Sequence, residues 1–455
     1  MADVTLPLTH VRDEPARTEV RERFLTLPRS AAVLAFVLFA LTFDDGQVAD
    51  DGTVYFNFLR RLFGADTTAV AYQFGSSIWN APFYLVSQLV AVRGQFDRLH
   101  SGEVSVSVAS NAAVVFTLYL GWRILRELDL PRGPAVLLLT LFGTPLFYYG
   151  ALAPSYKHAS DTLYATAAMW FVLRSSREDA RRRDFVAAGV CMALLLTTRF
   201  ANGALILGVL VVFAVLRLRQ AAAWMLATAA VASAIILVVP VIRHIPYAAP
   251  PNIYAAAREA LGATSIIDPV LNHTQFSPTA PLKMLFTLRR GLFIFTPLTA
   301  FATVGFVLLV RRDRRHRPFL LALGVATAGL LAVHSLWGRD WYGGGSFSAR
   351  FLTALFPFFL LGTAEVVRRA RWLGVAALTL CAAWSLWIGL VDFNGYYRSS
   401  GYDSIVRIVD NFKSVRGAPT TRFHQPPPYD SLQNFGRQMG DRIIARWQWY
   451  WRLVA

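Results

Sequence analysis

The chain has 455 residues, of which 55% are hydrophobic and 16% are charged, and its mean hydropathy is +0.42. A soluble domain of this length could not bury so much apolar surface, and several apolar runs reach the length of about 20 residues that a bilayer requires. The formal net charge of +17 does not indicate nucleic-acid binding, because the basic residues are concentrated in short loops between apolar runs. The composition therefore predicts an all-α polytopic membrane protein.

The loop charges predict the direction of the membrane spans. Arginine-rich loops face the cytoplasm under the positive-inside rule, and five loops are of this kind: 122–133, 174–184, 217–220, 311–318 and 366–372. With these loops inside, about eleven spans are expected, at 25–43, 104–125, 135–150, 159–174, 185–198, 202–217, 222–242, 291–310, 318–337, 351–367 and 372–391. The N-terminal tail, 1–24, is then cytoplasmic.

The predicted transmembrane domain, 25–391, has two long outer loops and is followed by an outer tail, 392–455. The first loop, 44–103, contains VYFNFLRRLF and APFYLVSQLVAV, which are too short to cross comfortably and are expected to form juxtamembrane helices. If 78–93 did cross, every later loop would invert and the arginine-rich loops would face outward. The second loop, 243–290, is rich in proline. The tail ends in IIARWQWYWRLVA, which predicts an interfacial amphipathic helix.

Several basic residues run against this charge rule because they fall at outer helix ends or in outer loops: Lys157, Arg199, Arg289, Arg290, Arg339 and Arg350. An arginine that contacts lipid phosphate explains any one of them, whereas six together favour a bound phosphate. Arg199 is the sharpest case, since TTRFANG forms the outer tip of a tight hairpin between two basic inner loops. Orientation of the hairpin needs no arginine there.

The first outer loop begins with four aspartates among which no basic residue lies: Asp44, Asp45, Asp50 and Asp51. Turn formation or helix capping accounts for such residues, especially Asp44 and Asp45 before Gly46. A carboxylate at the membrane surface that faces arginines also suits a general base, because it can take a proton from an acceptor hydroxyl while the arginines hold a leaving phosphate. The sequence contains no P-loop, HExxH or CxxC motif.

Four segments carry a family resemblance: DDGTVYFNFLRRL (50–62), APFYLVSQLVAV (81–92), RRGLFIFTPL (289–298) and WYGGGSFSARFLTALFPFFLLG (341–362), with PSYKHA (154–159) between them. The chain resembles the GT-C superfamily of membrane glycosyltransferases, in the bacterial branch related to protein O-mannosyltransferases and lipid A aminoarabinose transferases. The segment 341–362 is similar to the pattern W-x-G-G-x-x-F-x-x-R-[FY]-L and is the most specific. Gly52 and Ala153 depart from the family, since many relatives have an acid at the first position and a glutamate is expected near the second.

The resemblance implies a transferase that takes a sugar from a polyprenyl-phosphate donor at the outer face of the bacterial plasma membrane. It implies inversion at the anomeric carbon and a glycan, lipid or protein hydroxyl as acceptor. The implied catalytic residue is Asp51, with Asp50 beside it. The donor phosphate would be bound by Arg350, Arg290, Lys157 and Arg199. The pocket would be lined by Tyr55, Trp341, Tyr342 and His158. No cofactor is implied with certainty, and Asp50 and Asp51 leave a divalent metal open.

Two other classes of protein share part of this pattern. A transporter or flippase of lipid-linked sugars would share the arginines and the hydrophobicity, but it should carry polar residues near the middle of its spans, and few are present. A non-catalytic assembly subunit is favoured only by the departures at Gly52 and Ala153. The sugar, the acceptor, the lipid chain length and the oligomeric state do not follow from the sequence.

Overall fold

The structure is a computed structural model that describes residues 48, 51–65, 67, 73–93, 98–131, 133–216, 218–245, 277–288, 290–337 and 347–391. Within these ranges every regular element is helical, which confirms the all-α fold. The predicted first span, the cytoplasmic tail 1–24 and the outer tail 392–455 lie outside the described residues, as does most of the second outer loop.

Two helices lie where the juxtamembrane segments are predicted, α1 (Asp51–Leu62) and α2 (Gly75–Arg93). They pack together through aromatic side chains and a hydrogen bond. The Phe56 ring lies 6.2 Å from the Tyr84 ring in a T-shaped arrangement, and the Ser77 hydroxyl donates to the Tyr55 carbonyl oxygen at 3.0 Å. Their placement at a membrane interface stays a prediction.

The helices that follow build the bundle: α3 (Arg98–Glu127), α4 (Pro134–Phe142), α5 (His158–Ser175), α6 (Arg182–Thr198), α7 (Gly203–Val215), α8 (Arg219–Ile242), α9 (Ala280–Phe286), α10 (Leu292–Phe295), α11 (Leu298–Arg312), α12 (Arg317–Val333) and α13 (Phe356–Val391). In the part of the chain that the structure describes, three stretches are long and apolar enough to cross a membrane, at Ser101–Glu127, Arg219–Ile242 and Arg350–Leu390. Phe200–Val215 and Arg317–Val333 are shorter apolar helices. The chain is thus a membrane protein, and the number of eleven spans stays a prediction.

Two of the predicted spans are interrupted. In the span predicted at 135–150, α4 ends at Phe142 and the chain continues in a π-helical turn, Tyr148–Leu152. In the span predicted at 291–310, α10 ends before Pro297 and α11 begins after it. Proline lacks an amide hydrogen and disfavours the helical conformation of the residue before it, so an apolar run that contains proline need not be one helix.

The last two predicted spans, 351–367 and 372–391, correspond to the 3-10 turn Arg350–Leu355 and the helix α13, which together form a hairpin. The helix is interrupted at Arg371, whose φ is +47°. A straight helix of 36 residues would be about 54 Å long. Instead, a Cβ placed on Gly389 would lie 3.7 Å from the Phe347 ring, so the second half returns to the end where the first half begins. This matches the two spans that the sequence predicts.

The first half of α13 packs closely against α11 because small residues meet at the crossing. A Cβ on Gly362 would lie 1.8 Å from the Ala302 carbonyl oxygen, and one on Gly305 would lie 2.1 Å from the Gly362 carbonyl oxygen. In contrast, α8 exposes much of its apolar surface, including Val231 and Ile235. Such a helix suits the lipid-facing edge of a bundle.

Ion pairs link loops that the charge rule assigns to the cytoplasm. Arg177 pairs with Glu127 at 2.5 Å, which joins the loops 122–133 and 174–184. Arg312 pairs with Glu365 at 3.3 Å, which joins the ends of α11 and of the first half of α13. Each of these contacts connects two chain segments that lie in or beside predicted inner loops.

Candidate functional site

A cluster of basic and aromatic side chains lies where several helices begin or end. It brings together four residues predicted for the site: Lys157, His158, Arg199 and Arg350. An Nη2 atom of Arg199 lies 3.3 Å from His158 Nδ1, and its Nη1 donates to the Phe351 carbonyl oxygen at 3.2 Å. The Phe351 ring lies under both guanidinium groups, 4.9 Å from the Arg199 Cζ and 5.4 Å from the Arg350 Cζ.

Aromatic side chains form one wall of this cluster. The Tyr156 ring lies 5.8 Å from the Arg350 Cζ. The Tyr149 ring lies 4.3 Å from the His158 ring, and its hydroxyl donates to the Phe347 carbonyl oxygen at 2.9 Å. Tyr149 belongs to the π-helical turn that interrupts the predicted span 135–150. The interruption therefore directs an aromatic side chain toward the cluster.

Helix α1 meets the cluster at Lys157. The Lys157 ammonium lies 5.1 Å from the centre of the Tyr55 ring, at cation–π distance. The same ammonium donates a hydrogen bond to Gln73 Oε1. Tyr55 and Lys157 are both buried, with 4% and 7% of their surface exposed. Tyr55 is thus placed beside a residue predicted to bind the donor phosphate.

The N-terminus of α1 lies directly against the loop that precedes α5. A Cβ built on Gly52 would lie 2.8 Å from the carbonyl oxygen, Cβ and Oγ of Ser155. An acidic side chain, which many relatives have at this position, would not fit without movement of α1 or of this loop. Glycine at position 52, where the family resemblance predicts an acid, therefore allows the helix that begins at Asp51 to pack closely against Ser155.

Behind the cluster lies a buried acid that the sequence analysis did not single out. The Asp161 carboxylate has no exposed surface. Its Oδ2 lies 3.6 Å from Arg199 Nη1, and its Oδ1 accepts a hydrogen bond of 2.5 Å from Asn202 Nδ2. An acidic residue inside a predicted span, four residues after Lys157 and on the same helix face, was the signal that could have revealed it.

The structure describes little or nothing of the remaining residues that were predicted for the site. Arg290 is buried, with 3% of its surface exposed, and it precedes α10. That helix reaches the cluster through Phe295, whose ring lies 5.9 Å from the Phe347 ring. Asp50, the Asp51 side chain, Trp341 and Tyr342 lie outside the described residues. Within the described ranges, no three His, Cys, Asp or Glu side chains come together as a metal site. The assigned roles of all these residues stay predictions.

Comparison with known proteins gives a likeness of fold. No family model and no curated protein matches the chain. ArnT from Cupriavidus metallidurans bound to undecaprenyl phosphate superposes with a TM-score of 0.52 and 16% identity, over 93% of this chain and 76% of that one. The apo state of the same protein gives 0.44 and 14%, over 94% and 76%. The archaeal oligosaccharyltransferase AglB from Archaeoglobus fulgidus, in complex with an inhibitory peptide and a dolichol-phosphate, gives 0.47 and 12%, over 93% and 64%. The match to lipid-bound ArnT shows that the chain has a fold like that of ArnT, which is the fold that the predicted family resemblance implies.

Proposed function

We propose that the chain is a membrane glycosyltransferase that moves a sugar from a polyprenyl-phosphate donor to an acceptor hydroxyl at the outer face of the bacterial plasma membrane. The observation that carries the proposal is the cluster of Lys157, Arg199 and Arg350 beside the N-terminus of α1, within a fold of the GT-C type. The ArnT structure with this fold holds undecaprenyl phosphate, which is a ligand of the class that such cations suit.

Lys157 and Arg350 are the residues that the geometry best supports as ligands of the donor phosphate. Lys157 lies over Tyr55 and Arg350 lies over Tyr156, so both charges stand beside aromatic rings. Such rings suit the faces of a sugar, while the cations suit the phosphate to which it is joined. Arg290 is a third candidate, because α10 approaches the same cluster through Phe295.

The proposed reaction is a single displacement at the anomeric carbon. The Asp51 carboxylate takes the proton of the acceptor hydroxyl, and the hydroxyl oxygen forms a bond to the anomeric carbon from the face opposite the phosphate. The bond between that carbon and the phosphate oxygen breaks, and its electron pair leaves with the polyprenyl phosphate. The cations stabilise the charge that develops on this leaving group. Attack from the opposite face gives inversion.

The position of α1 supports Asp51 as the base. Gly52 packs on Ser155, two residues before Lys157, so the backbone at the start of α1 lies beside the segment that carries a proposed phosphate ligand. Asp50 and Asp51 are the residues through which a divalent metal would act. Metal use by this chain belongs to the proposal and is tested by adding a chelator to the transfer assay.

The test is transfer by the purified chain in lipid nanodiscs. Undecaprenyl-phosphate sugars labelled in the sugar would be incubated with membranes of the source organism that have been freed of their own donor, as the supply of acceptors. Label that moves to a new product, with release of undecaprenyl phosphate in equal amount, is the expected result. Donors that remain intact with every acceptor preparation would overturn the proposal.

A flippase of lipid-linked sugars is the alternative that the same protein preparation can test. In proteoliposomes, a flippase would make inner-leaflet donor accessible to an added enzyme without breaking the bond between sugar and phosphate. A transferase would break that bond once the acceptor preparation is added, and it would not increase accessibility. A non-catalytic assembly subunit would do neither.

A further inference from the structure

The ion pair between Asp161 and Arg199 is buried in the bundle. Asp161 has no exposed surface and Arg199 has 5%. Removal of two charges from water is costly, and a pair at 3.6 Å recovers that cost only with further hydrogen bonds. Asn202 supplies one of them to Asp161 and also donates to the Leu195 carbonyl oxygen at 3.3 Å. Ionisable residues retained inside a membrane bundle mark functional sites by default.

The other contacts of Arg199 lead toward Arg350. Its Nη1 donates to the carbonyl oxygen of Phe351, the residue after Arg350. Its Nη2 lies 3.3 Å from His158 Nδ1. Since a guanidinium only donates hydrogen bonds, that nitrogen must be the unprotonated one of the imidazole. Arg199 therefore holds both the start of α5 and the 3-10 turn Arg350–Leu355.

The same turn is tied to α5 by threonines. The single proton of the Thr162 hydroxyl is shared between the His158 carbonyl oxygen at 2.8 Å and the Thr353 carbonyl oxygen at 3.2 Å. The Thr353 hydroxyl donates to the Arg350 carbonyl oxygen at 3.1 Å. The turn is thus held from α5 through Thr162 and from the end of α6 through Arg199. Both ties fix the backbone of Arg350 relative to Lys157.

We infer that Asp161, Asn202 and Arg199 form a positioning network that sets the geometry of Arg350 toward the donor phosphate. Asp161 compensates the charge of Arg199 and directs its guanidinium to the Phe351 carbonyl. Arg199 is then a positioning residue, whereas the sequence predicts that it binds the phosphate itself. The inference rests on the proposed function, because the ligand toward which Arg350 is positioned is the donor phosphate.

The decisive variant removes both charges at once, Asp161→Asn with Arg199→Met. A single substitution would leave one buried charge without its counter-ion and would be expected to unfold the protein. The double variant is expected to keep a melting temperature near that of the wild type. Its kcat/KM for the donor is expected to fall about 10- to 100-fold, because small misplacement of a binding group has effects of that order, and by no more than in Arg350→Ala, since the network acts through Arg350.

A matched control exists at the other ends of the same two helices. Arg174 and Asp184 pair at 3.0 Å across α5 and α6, with Asp184 largely buried. The control variant Arg174→Met with Asp184→Asn removes a pair of the same charges at the opposite ends of these helices, although the Arg174 side chain is more exposed, at 29% against 6% for Arg199. Its donor kinetics are expected to match the wild type, so a loss in this variant equal to that of the test variant would contradict the inference.

A second substitution, Thr162→Val, separates positioning from direct contact. It removes the other tie to the turn without changing any charge. If both ties act on Arg350, adding Thr162→Val to the double variant should cost less than the sum of the separate losses. A direct phosphate ligand at Arg199 should instead give additive losses, which would overturn the inference.

Binding of undecaprenyl phosphate to the protein in nanodiscs, measured by native mass spectrometry, distinguishes the two ways of failing. A wild-type protein that neither binds this lipid nor turns over the donor overturns the proposed function and, with it, the inference. If the wild type does both and the folded double variant matches it, the inference alone is overturned.

Discussion

The guanidinium of Arg350 lies beside the rings of Tyr156 and Phe351. In the sequence, Arg350 follows a run of three glycines, 343–345. We expect Arg350→Ala to lower kcat/KM for the donor about 10- to 100-fold, the range of a lost hydrogen bond to a charged group. Arg350→Lys should recover only part, because lysine keeps the charge and loses the bidentate geometry. Steady-state kinetics with a labelled donor measure both effects.

An exposed basic residue provides the control for this prediction. Lys283 on α9 is exposed, and Lys283→Ala should leave donor kinetics unchanged because exposed charges contribute little. Full turnover in Arg350→Ala would contradict a role in donor binding and would favour the alternative, in which Arg350 contacts the phosphate of a membrane lipid.

Gly52 gives a prediction about packing. A Cβ added at position 52 would lie 2.8 Å from three atoms of Ser155. Gly52→Ala should therefore displace α1 and lower the free energy of unfolding by about 1–3 kcal/mol. Turnover should fall as well, since Asp51 begins that helix. Gly133→Ala is the control, because a Cβ there meets nothing within 4 Å. Melting temperatures and transfer rates of the two variants should diverge, and equal values would show that α1 does not pack on Ser155.

At the scale of elements, Glu365 links α11 to the hairpin in α13. Its buried carboxylate accepts two hydrogen bonds from Arg368, at 2.7 and 2.8 Å. Arg312, from α11, makes a longer contact of 3.3 Å. We expect Arg368→Met to cost more stability than Arg312→Met, because bidentate charge-assisted hydrogen bonds are the stronger kind. Thermal unfolding in detergent ranks the two variants, and the reverse order would contradict this reading of the geometry.

The helices could be placed from apolar length and loop charge, and the failures have local causes. The hairpin in α13 was predicted because its basic loop interrupts an apolar run, and the structure breaks the helix at Arg371 in that loop. The helix breaks before Pro297 and after Phe142 were not predicted. The spans were placed by apolar length alone, which takes no account of the helix-disrupting effect of glycine and proline.

The candidate site was only partly predictable for a different reason. Loop charge singled out Lys157, Arg199 and Arg350 because basic residues are unexpected at outer helix ends. Their mutual contacts depend on tertiary packing, which joins residues far apart in the sequence, such as Tyr149 and Phe347, 198 positions apart. Asp161 was missed because one acid inside an apolar run has little weight until its partner, Arg199, is known.

At the scale of the whole molecule, the loop charges predict one orientation in the membrane. Residues 174–184 and 311–317 should be cytoplasmic, while 44–103 and 392–455 should lie outside. In intact cells, an impermeant thiol reagent should therefore label a cysteine introduced as Ser400→Cys and not one introduced as Ser176→Cys. Labelling the unmodified chain controls for the native Cys191 and Cys381, which are partly buried. The opposite labelling pattern would invert the topology and place the cluster on the cytoplasmic side.

The proposal that this membrane protein transfers a sugar by base catalysis is tested most directly by turnover of purified Asp51→Asn. The substitution preserves size and most hydrogen bonding, so donor binding should stay at the wild-type level. Turnover should fall on the order of 100-fold to 10,000-fold, which is the contribution of a positioned general base. Asp44→Asn, made at an acid assigned to a turn, should change little. Near-normal turnover in Asp51→Asn would contradict the assignment, and a loss confined to Asp50→Asn would move the base one residue upstream.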